Sequence, residues 1–301
     1  MNKKSGSILA VALGAGLSVG AAFFHRRQKN KVKKDVFVKK PAPQPDLEQE
    51  MVERMSSLIA GDSFVLAVQP VIDLQTGCVV GGEVLSRLND PEQGLIFPDK
   101  FLPAVQEAGL YPRFDHYIFR KSCQLMHRLR ESGVEPLYLS CNFSRLTLSE
   151  KDAAARLSEI AEEFGLPNGC MAVEITEREQ ETDKEQFCRN LIDLKKAGFR
   201  IFVDDLGAGV ASVRDMWSYP VDVVKIDRSL LLATDTEQGR SAYRALRNLV
   251  VDLGCEVLGE GVETQEQHQF VIDSGCHYGQ GFLFYRPMEA ERFFRLMGIK
   301  E

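Results

Sequence analysis

The stretch Phe187-Cys188-Arg189-Asn190-Leu191-Ile192-Asp193-Leu194-Lys195-Lys196-Ala197-Gly198-Phe199-Arg200-Ile201-Phe202-Val203-Asp204-Asp205 contains one full unit of the fold. Phe187, Leu191 and Leu194 recur at helical spacing, Gly198 suits a helix C-terminus, and 200–204 is a short β-rich run with acids at its end. The same order recurs on either side: Ala154, Leu157, Ala161 and Phe164 precede Gly165, and Ala242, Leu246, Leu249 and Leu253 precede Gly254. Candidate strands are 63–70, 79–87, 137–142, 171–175, 200–204, 221–226, 256–260 and 280–284. Strand and helix alternating over about 250 residues predict an α/β fold, an eight-stranded (β/α)8 TIM-like barrel. Only residues 71–78, with Gly77 at the turn, separate the first two strands. That is too short for a helical crossover, so this pair is expected to be antiparallel.

With 301 residues, 44% apolar and 27% charged, the chain can build one large core and does not read as disordered. Seven cysteines, an odd number without a CxxC pair, suggest neither a disulfide framework nor a zinc site. The net charge of −6 conceals an asymmetry, because residues 1–40 hold ten Lys and Arg against one acid, Asp35. The rest carries 27 basic and 42 acidic residues, or −15. A body of that charge repels a nucleic-acid backbone, whose binding rests on neutralising phosphates with Lys and Arg. No DNA or RNA polymer is expected as a partner, and an anionic substrate would need metal ions as intermediaries.

Residues 5–24 form an uncharged run of 20. At about 1.5 Å per residue, a helix of that length spans roughly the 30 Å of a bilayer core. Arg26, Arg27, Lys29, Lys31, Lys33 and Lys34 follow at once, against only Lys3 and Lys4 ahead of the run. The positive-inside bias places the body in the cytoplasm, and the dense basic cluster argues against a cleaved export signal. The expected organisation is a membrane anchor over 1–25, a basic linker punctuated by Pro41, Pro43 and Pro45 over 26–46, and one barrel domain over 47–301. The fold class is then a TIM-like barrel with an antiparallel first strand, preceded by one N-terminal transmembrane helix.

Side chains at the C-terminal ends of barrel strands converge on one mouth, where catalytic groups sit. Near those ends the candidate strands carry Glu83, Asn142, Glu174, Asp204 with Asp205, Lys225, Glu260 and Gln280. Each alone is more often a helix cap or a solvated loop residue. Agreement among seven strands is harder to dismiss. Five carboxylates aimed into one mouth repel one another unless cations sit among them. Carboxylates with one Asn carbonyl, and no Cys or His, favour Mg²⁺ or Mn²⁺ over Zn²⁺. Adjacent Asp204 and Asp205 can serve a pair of ions, and two ions about 3.5–4 Å apart can activate a shared water and stabilise the leaving oxygen of a phosphate ester. The predicted reaction class is phosphodiester hydrolysis.

In these residues the chain resembles the EAL-domain family of bacterial cyclic di-GMP phosphodiesterases, over residues 62–295. The matches run in order: Gln69-Pro70, Glu83-Val84-Leu85 with Arg87, Asn142-Phe143-Ser144, and Val173-Glu174-Ile175-Thr176-Glu177. They continue through Asp204-Asp205-Leu206-Gly207, Lys225-Ile226-Asp227, Glu260-Gly261-Val262-Glu263-Thr264, Gln280-Gly281-Phe282 and Arg286-Pro287. The resemblance implies that Glu83, Asn142, Glu174 and Asp204 hold a first metal, and that Asp204, Asp205 and Glu260 hold a second. It gives Lys225 the attacking water to orient or polarise, with Gln280 completing the site. Lys225, Glu83, Glu260 and Gln280 are thus the implied catalytic set. Gln69 and Arg87 would contact the dinucleotide, Glu177 would tie down the loop after the fifth strand, and the product would be linear pGpG. A homodimer and an inner-membrane location with a cytoplasmic catalytic domain complete the expectation.

The chain departs from the family pattern in two places. Val84 replaces the signature alanine, and the loop after the fifth strand has Leu206, Ala208 and Val210 where Phe, Thr and Tyr are common. Two classes of function follow: an active phosphodiesterase with all metal and water positions kept, or a weak or inactive module acting as a cyclic di-GMP receptor or protein-interaction module. Gly81-Gly82-Glu83 matches part of the signature of the opposing diguanylate cyclases, but its acidic-aromatic remainder is absent. The five histidines include no His-Asp pair of the kind an HD-type phosphodiesterase needs.

Overall fold

The computed structural model describes residues 45–134, 137–175, 183–207 and 213–299. The expected anchor over 1–25, the linker up to residue 44, Glu177 and residues 208–212 lie outside them. Among the described residues no helix is long and apolar enough to cross a membrane.

One sheet holds ten strands: β1 (Phe64–Asp73), β2 (Val79–Asp90), β3 (Gly94–Ile96), β4 (Tyr138–Phe143), β5 (Met171–Ile175), β6 (Arg200–Leu206), β7 (Val223–Ile226), β8 (Glu256–Gly259), β9 (Tyr278–Gly279) and β10 (Met288–Glu289). Parallel pairing runs from β2 through β4, β5, β6, β7 and β8 to β9. β1 closes the ring by pairing antiparallel with both β2 and β9. This is the expected eight-stranded barrel with its antiparallel first strand. The turn between β1 and β2 is set by Asp73, whose Oδ1 accepts from Thr76 N at 2.8 Å and Gln75 N at 2.9 Å.

Two expected strands change. The eighth barrel strand is Tyr278–Gly279, not 280–284. The aromatic run after it turns instead, because Phe284 N and Tyr285 N donate to Gly281 O at 3.1 and 3.0 Å, a tertiary choice that overrides β-propensity. β2 also runs past the barrel mouth to form a hairpin with β3, its turn held by Asp90 Oδ1 accepting from Glu92 N and Gln93 N, both at 2.9 Å. Glu83 therefore stands in mid-strand rather than near a strand end.

Strand periodicity explains the interior. Val71, Tyr138, Ala172, Phe202, Val223 and Leu258 pack as one buried apolar layer. Two residues beyond the last five stand Ser140, Glu174, Asp204, Lys225 and Glu260. With a side-chain period of two, the polar set must lie one layer above an apolar floor. The outward residues Leu139, Cys141, Val173, Ile175, Ile201 and Val203 pack with Phe119, Leu157 and Leu191 of the surrounding helices. Strands buried on both faces read as nearly continuous apolar runs. Each buried Val, Leu or Ile contributes about 1.5–3 kcal/mol. Gly81 belongs to the floor, where an added Cβ would sit 2.5 Å from the Tyr138 ring. Its place in the cyclase-like tripeptide thus has a packing explanation.

Phe202, 1% exposed, meets Tyr138 edge-on with ring centroids 5.3 Å apart. Phe202→Ala is expected to lower stability by about 3–5 kcal/mol, read as a lower urea midpoint at unchanged m-value. A loss below about 1 kcal/mol would show that the floor is not packed as described.

Candidate active site

Lys225, on β7, is 2% exposed. Its ammonium meets Glu174 Oε1 at 2.6 Å, Glu260 Oε1 at 2.7 Å, and Glu83 Oε2 and Asp204 Oδ1 at 3.2 Å each. Asn142 Nδ2 donates to Glu83 Oε1 and Gln280 Nε2 to Glu83 Oε2, both at 3.0 Å. Seven of the sequence-predicted residues, drawn from seven strands or their immediate continuations, thereby form one network.

Asp205 joins through a bulge. β6 and β7 stay in register to Val203↔Val224, after which Leu206 pairs with Ile226, so β6 holds one extra residue at Asp204-Asp205. Asp205 takes φ +57°, a left-handed conformation that Asp tolerates better than most residues. Consecutive side chains of a regular strand point to opposite faces. The bulge breaks that alternation, and carboxylate oxygens of Asp204, Asp205 and Glu260 come within 4.8 Å of one another. Leu206, where the family commonly has Phe, is buried in the core behind.

Burial drives the electrostatics. It pushes the Glu174 carboxyl well above the usual range, helped by the Glu83 charge and opposed by Lys225. Burial and Asp204 likewise raise Glu260 to about 8, against Lys225. For Glu83 burial is outweighed by the Lys225 charge and by the amides of Gln280 and Asn142, so its pKa is lowered. Burial also works against the Lys225 charge, yet Asp204, Glu174, Glu260 and Glu83 together hold its pKa well above the usual lysine value. One ammonium cannot neutralise five acids. Glu174 Oε2 and Gln280 Oε1, moreover, are enclosed without a hydrogen-bond partner among the described residues. An orphaned buried polar atom costs about 1–3 kcal/mol. An oxygen-rich, over-acidic cluster with an orphaned carboxylate oxygen fits a divalent cation.

Two hollows open above the network and share Glu83. The first, of 340 Å³, is lined by Glu83, Asn142, Asp204 and Asp205 and walled by Leu102, Tyr111, Phe114 and Ile118. The second, of 240 Å³, is lined by Gln69, Glu83, Arg228, Glu260, Gln280 and Phe282, among others. Gln69 lies opposite Glu83 across the β1–β2 ladder and donates to Tyr285 O at 3.3 Å. Arg87 is not brought into the network. Four residues further along β2, its guanidinium sits 4.7 Å from the Phe97 ring centre, donates to Ser86 O at 2.7 Å and lines a separate hollow with Lys121 and Arg128. Sequence reasoning missed the apolar wall, whose only sequence signal is the helical spacing of Phe114 and Ile118. It also missed Asp115, 5% exposed, which accepts from Ser144 N at 2.9 Å and Thr147 Oγ1 at 2.5 Å and steadies the turn after Asn142.

This architecture is shared. The EAL domain family profile matches residues 52–287, and the chain belongs to that family. It is 32% identical over 225 residues to the biofilm architecture maintenance protein MbaA of Vibrio cholerae, covering 75% of this chain and 28% of that protein. It is 30% identical over 231 residues to the cyclic di-GMP phosphodiesterase RocR of Pseudomonas aeruginosa, covering 76% of this chain and 59% of that one. The chain thus spans between 28% and 59% of the length of these two curated relatives. Among solved structures, the PaMucR phosphodiesterase in its c-di-GMP complex matches with a TM-score of 0.74 at 26% identity, over 81% of this chain and 99% of that one. Phosphodiesterases of this family depend on divalent metals, and an acidic cluster able to hold them is present here.

Without metal, Glu260 retains its proton in the folded chain between its ordinary value of 4.5 and about 8. The folded state then binds more protons than the unfolded one, so stability falls as pH rises through that window, and the raised Glu174 adds to the slope. In EDTA, the melting temperature is expected to drop between about pH 5 and about pH 8. Adding Mg²⁺ or Mn²⁺ at the upper pH should restore it. Equal metal-free stability at both ends would mean that these acids are not buried among like charges.

Proposed function

We propose that the chain hydrolyses cyclic di-GMP to linear pGpG with two divalent cations, Mg²⁺ or Mn²⁺. The observation that carries the reading is the convergence of Glu83, Glu174, Asp204 and Glu260 on one buried ammonium. Relatives named for this activity, or solved with this ligand, support it. Glu83, Asn142, Glu174 and Asp204 would hold one ion, and Asp204, Asp205 and Glu260 the other. Such ions, when bound, activate water and stabilise charge on the leaving oxygen. The chain's own groups set the stage: Lys225 keeps its proton, fixes the carboxylates and orients the attacking water, while Gln280 and Asn142 fix Glu83.

Two hollows sharing Glu83 suit a ligand with two bases and a phosphate between them. Gln69 contacts the dinucleotide at the rim, Arg87 does so further out on the β2–β3 hairpin, and Glu177 steadies the loop after β6. The reading extends to a homodimer, and to residues 1–25 as a single-pass inner-membrane anchor with the barrel in the cytoplasm. The uncharged run and its basic flank support the anchor.

Incubating the detergent-solubilised full chain with cyclic di-GMP and Mg²⁺ or Mn²⁺ is expected to yield pGpG, and EDTA to stop it. Glu83→Ala should lower turnover on the order of a hundredfold or more. Wild-type rates in that variant would mean that the site is misplaced, and binding without product would make the chain a receptor. Recovery of the full chain in the soluble fraction after cell lysis would sink the anchor.

A further inference from the structure

Among the described residues, the helix Pro45–Ala60 contributes no side chain to either hollow above the acidic network. Met51, Met55, Leu58 and Ile59 recur along it at helical spacing and mark one apolar face. Met55 and Ile59, 5% and 4% exposed, join Phe64, Phe101, Phe114 and Ile118 in one buried cluster. Its three phenyl rings meet edge-on, with centroids 5.2 Å apart for Phe64 and Phe101, 5.1 Å for Phe64 and Phe114, and 5.8 Å for Phe101 and Phe114. None of these six residues belongs to the other buried clusters of the described chain. Just past the helix, Asp62 takes φ +55°, and its Oδ1 accepts from Tyr117 Oη and Lys121 Nζ, both at 2.6 Å. The end of the helix is thereby tied to Tyr111–Glu131, the helix that carries Phe114 and Ile118.

Phe114 and Ile118 serve two sides. They wall the first hollow, of 340 Å³, and they belong to the cluster on which Met55 and Ile59 sit. One layer of side chains thus separates the helix from the space above the acids. Close-packed interiors transmit strain, because neighbours must follow a side chain that shifts. Val84, Val173 and Val203, next to Glu83, Glu174 and Asp204, pack in a different cluster, so the hollow can change shape while the acids keep their places. We propose that the helix Pro45–Ala60 is a regulatory handle on substrate affinity, an inference that rests on reading the first hollow as part of a cyclic dinucleotide site. Seated on the cluster, the helix holds the wall in its binding shape; a pull arriving along the chain from its N-terminal side loosens the seat and weakens binding. Such coupling is reciprocal, so substrate tightens the helix by the factor by which the seated helix tightens substrate.

The test compares the full chain with Met55→Ala, Ile59→Ala, Met55→Leu and Val250→Ala, the last a buried position of the helix Glu237–Asp252 in another cluster. Turnover of cyclic di-GMP with Mn²⁺ is measured below every variant's melting temperature, and amide hydrogen exchange of residues 51–60 is followed in wild type with and without bound cyclic di-GMP in EDTA. Met55→Ala and Ile59→Ala are expected to raise KM about fivefold or more, with kcat changed less than about twofold. Met55→Leu keeps the packed volume and should keep KM. Val250→Ala should lower the melting temperature and leave KM alone, which separates the handle from a general loss of stability. Bound cyclic di-GMP should slow exchange over residues 51–60 by about the same factor. A wild-type KM in both alanine variants, an equal rise in Val250→Ala, or unchanged exchange in the bound chain refutes the handle while hydrolysis stands. Should an alanine variant fail to fold, Ile59→Val and the wild-type exchange decide. If wild type binds without turnover, the comparison is made on Kd, with the same outcomes deciding. A wild type that neither makes pGpG nor binds cyclic di-GMP overturns both readings.

Discussion

Everything in this barrel is arranged around a lysine ammonium kept out of water. Lys225 is 2% exposed, and removing such an ion from solvent costs several kcal/mol even after relaxation. The cost is offset because Glu83, Glu174, Asp204 and Glu260 all lie within 3.2 Å of it. Those acids in turn could not be packed together without the cation at their centre. Neither half of the arrangement is stable alone, which makes the correct pairing of several strands a condition for burying either.

That condition reaches into the backbone. A slip of one residue between neighbouring strands would turn every side chain of one strand to the opposite face. Glu174 would then leave the interior and Val173 or Ile175 would enter it. The apolar floor of Val71, Tyr138, Ala172, Phe202, Val223 and Leu258 resists the same slip, because it occupies the same side of the strands one step below. Floor and network are thus two readings of one register. The exception is the bulge at Asp204-Asp205, where a locally strained Asp205 delivers two adjacent acids to one side.

The rim is organised differently. Besides Gln69 of β1 and the stretch of β2 beyond Glu83, it draws on helices and turns: the helix Tyr111–Glu131 supplies an apolar wall, and the turn after Gln280 supplies Phe282. Family membership extends over residues 52–287, so the barrel and both rim elements fall within the shared portion.

Glu174, Asp204, Lys225 and Glu260 were legible because each stands near the end of an apolar run two positions beyond a floor residue, and period two is a property of the strand itself. The antiparallel first pair was legible for an equally local reason, the short 71–78 connection. The extent of β2, the turn at 281–284 and the separation of Arg87 from the network were not. The aromatic run Phe282-Leu283-Phe284-Tyr285 has the composition of a strand, and only its contacts with Val262 and Gly281 make it turn. By itself, then, the sequence determined which side chains carry the charge and that they share one barrel mouth. The tertiary structure alone decided that Lys225 is their common centre, that a bulge adds Asp205 and that Arg87 stands apart. Distances between residues as far apart as Glu83 and Gln280 depend on ring closure and stagger, which no local pattern encodes.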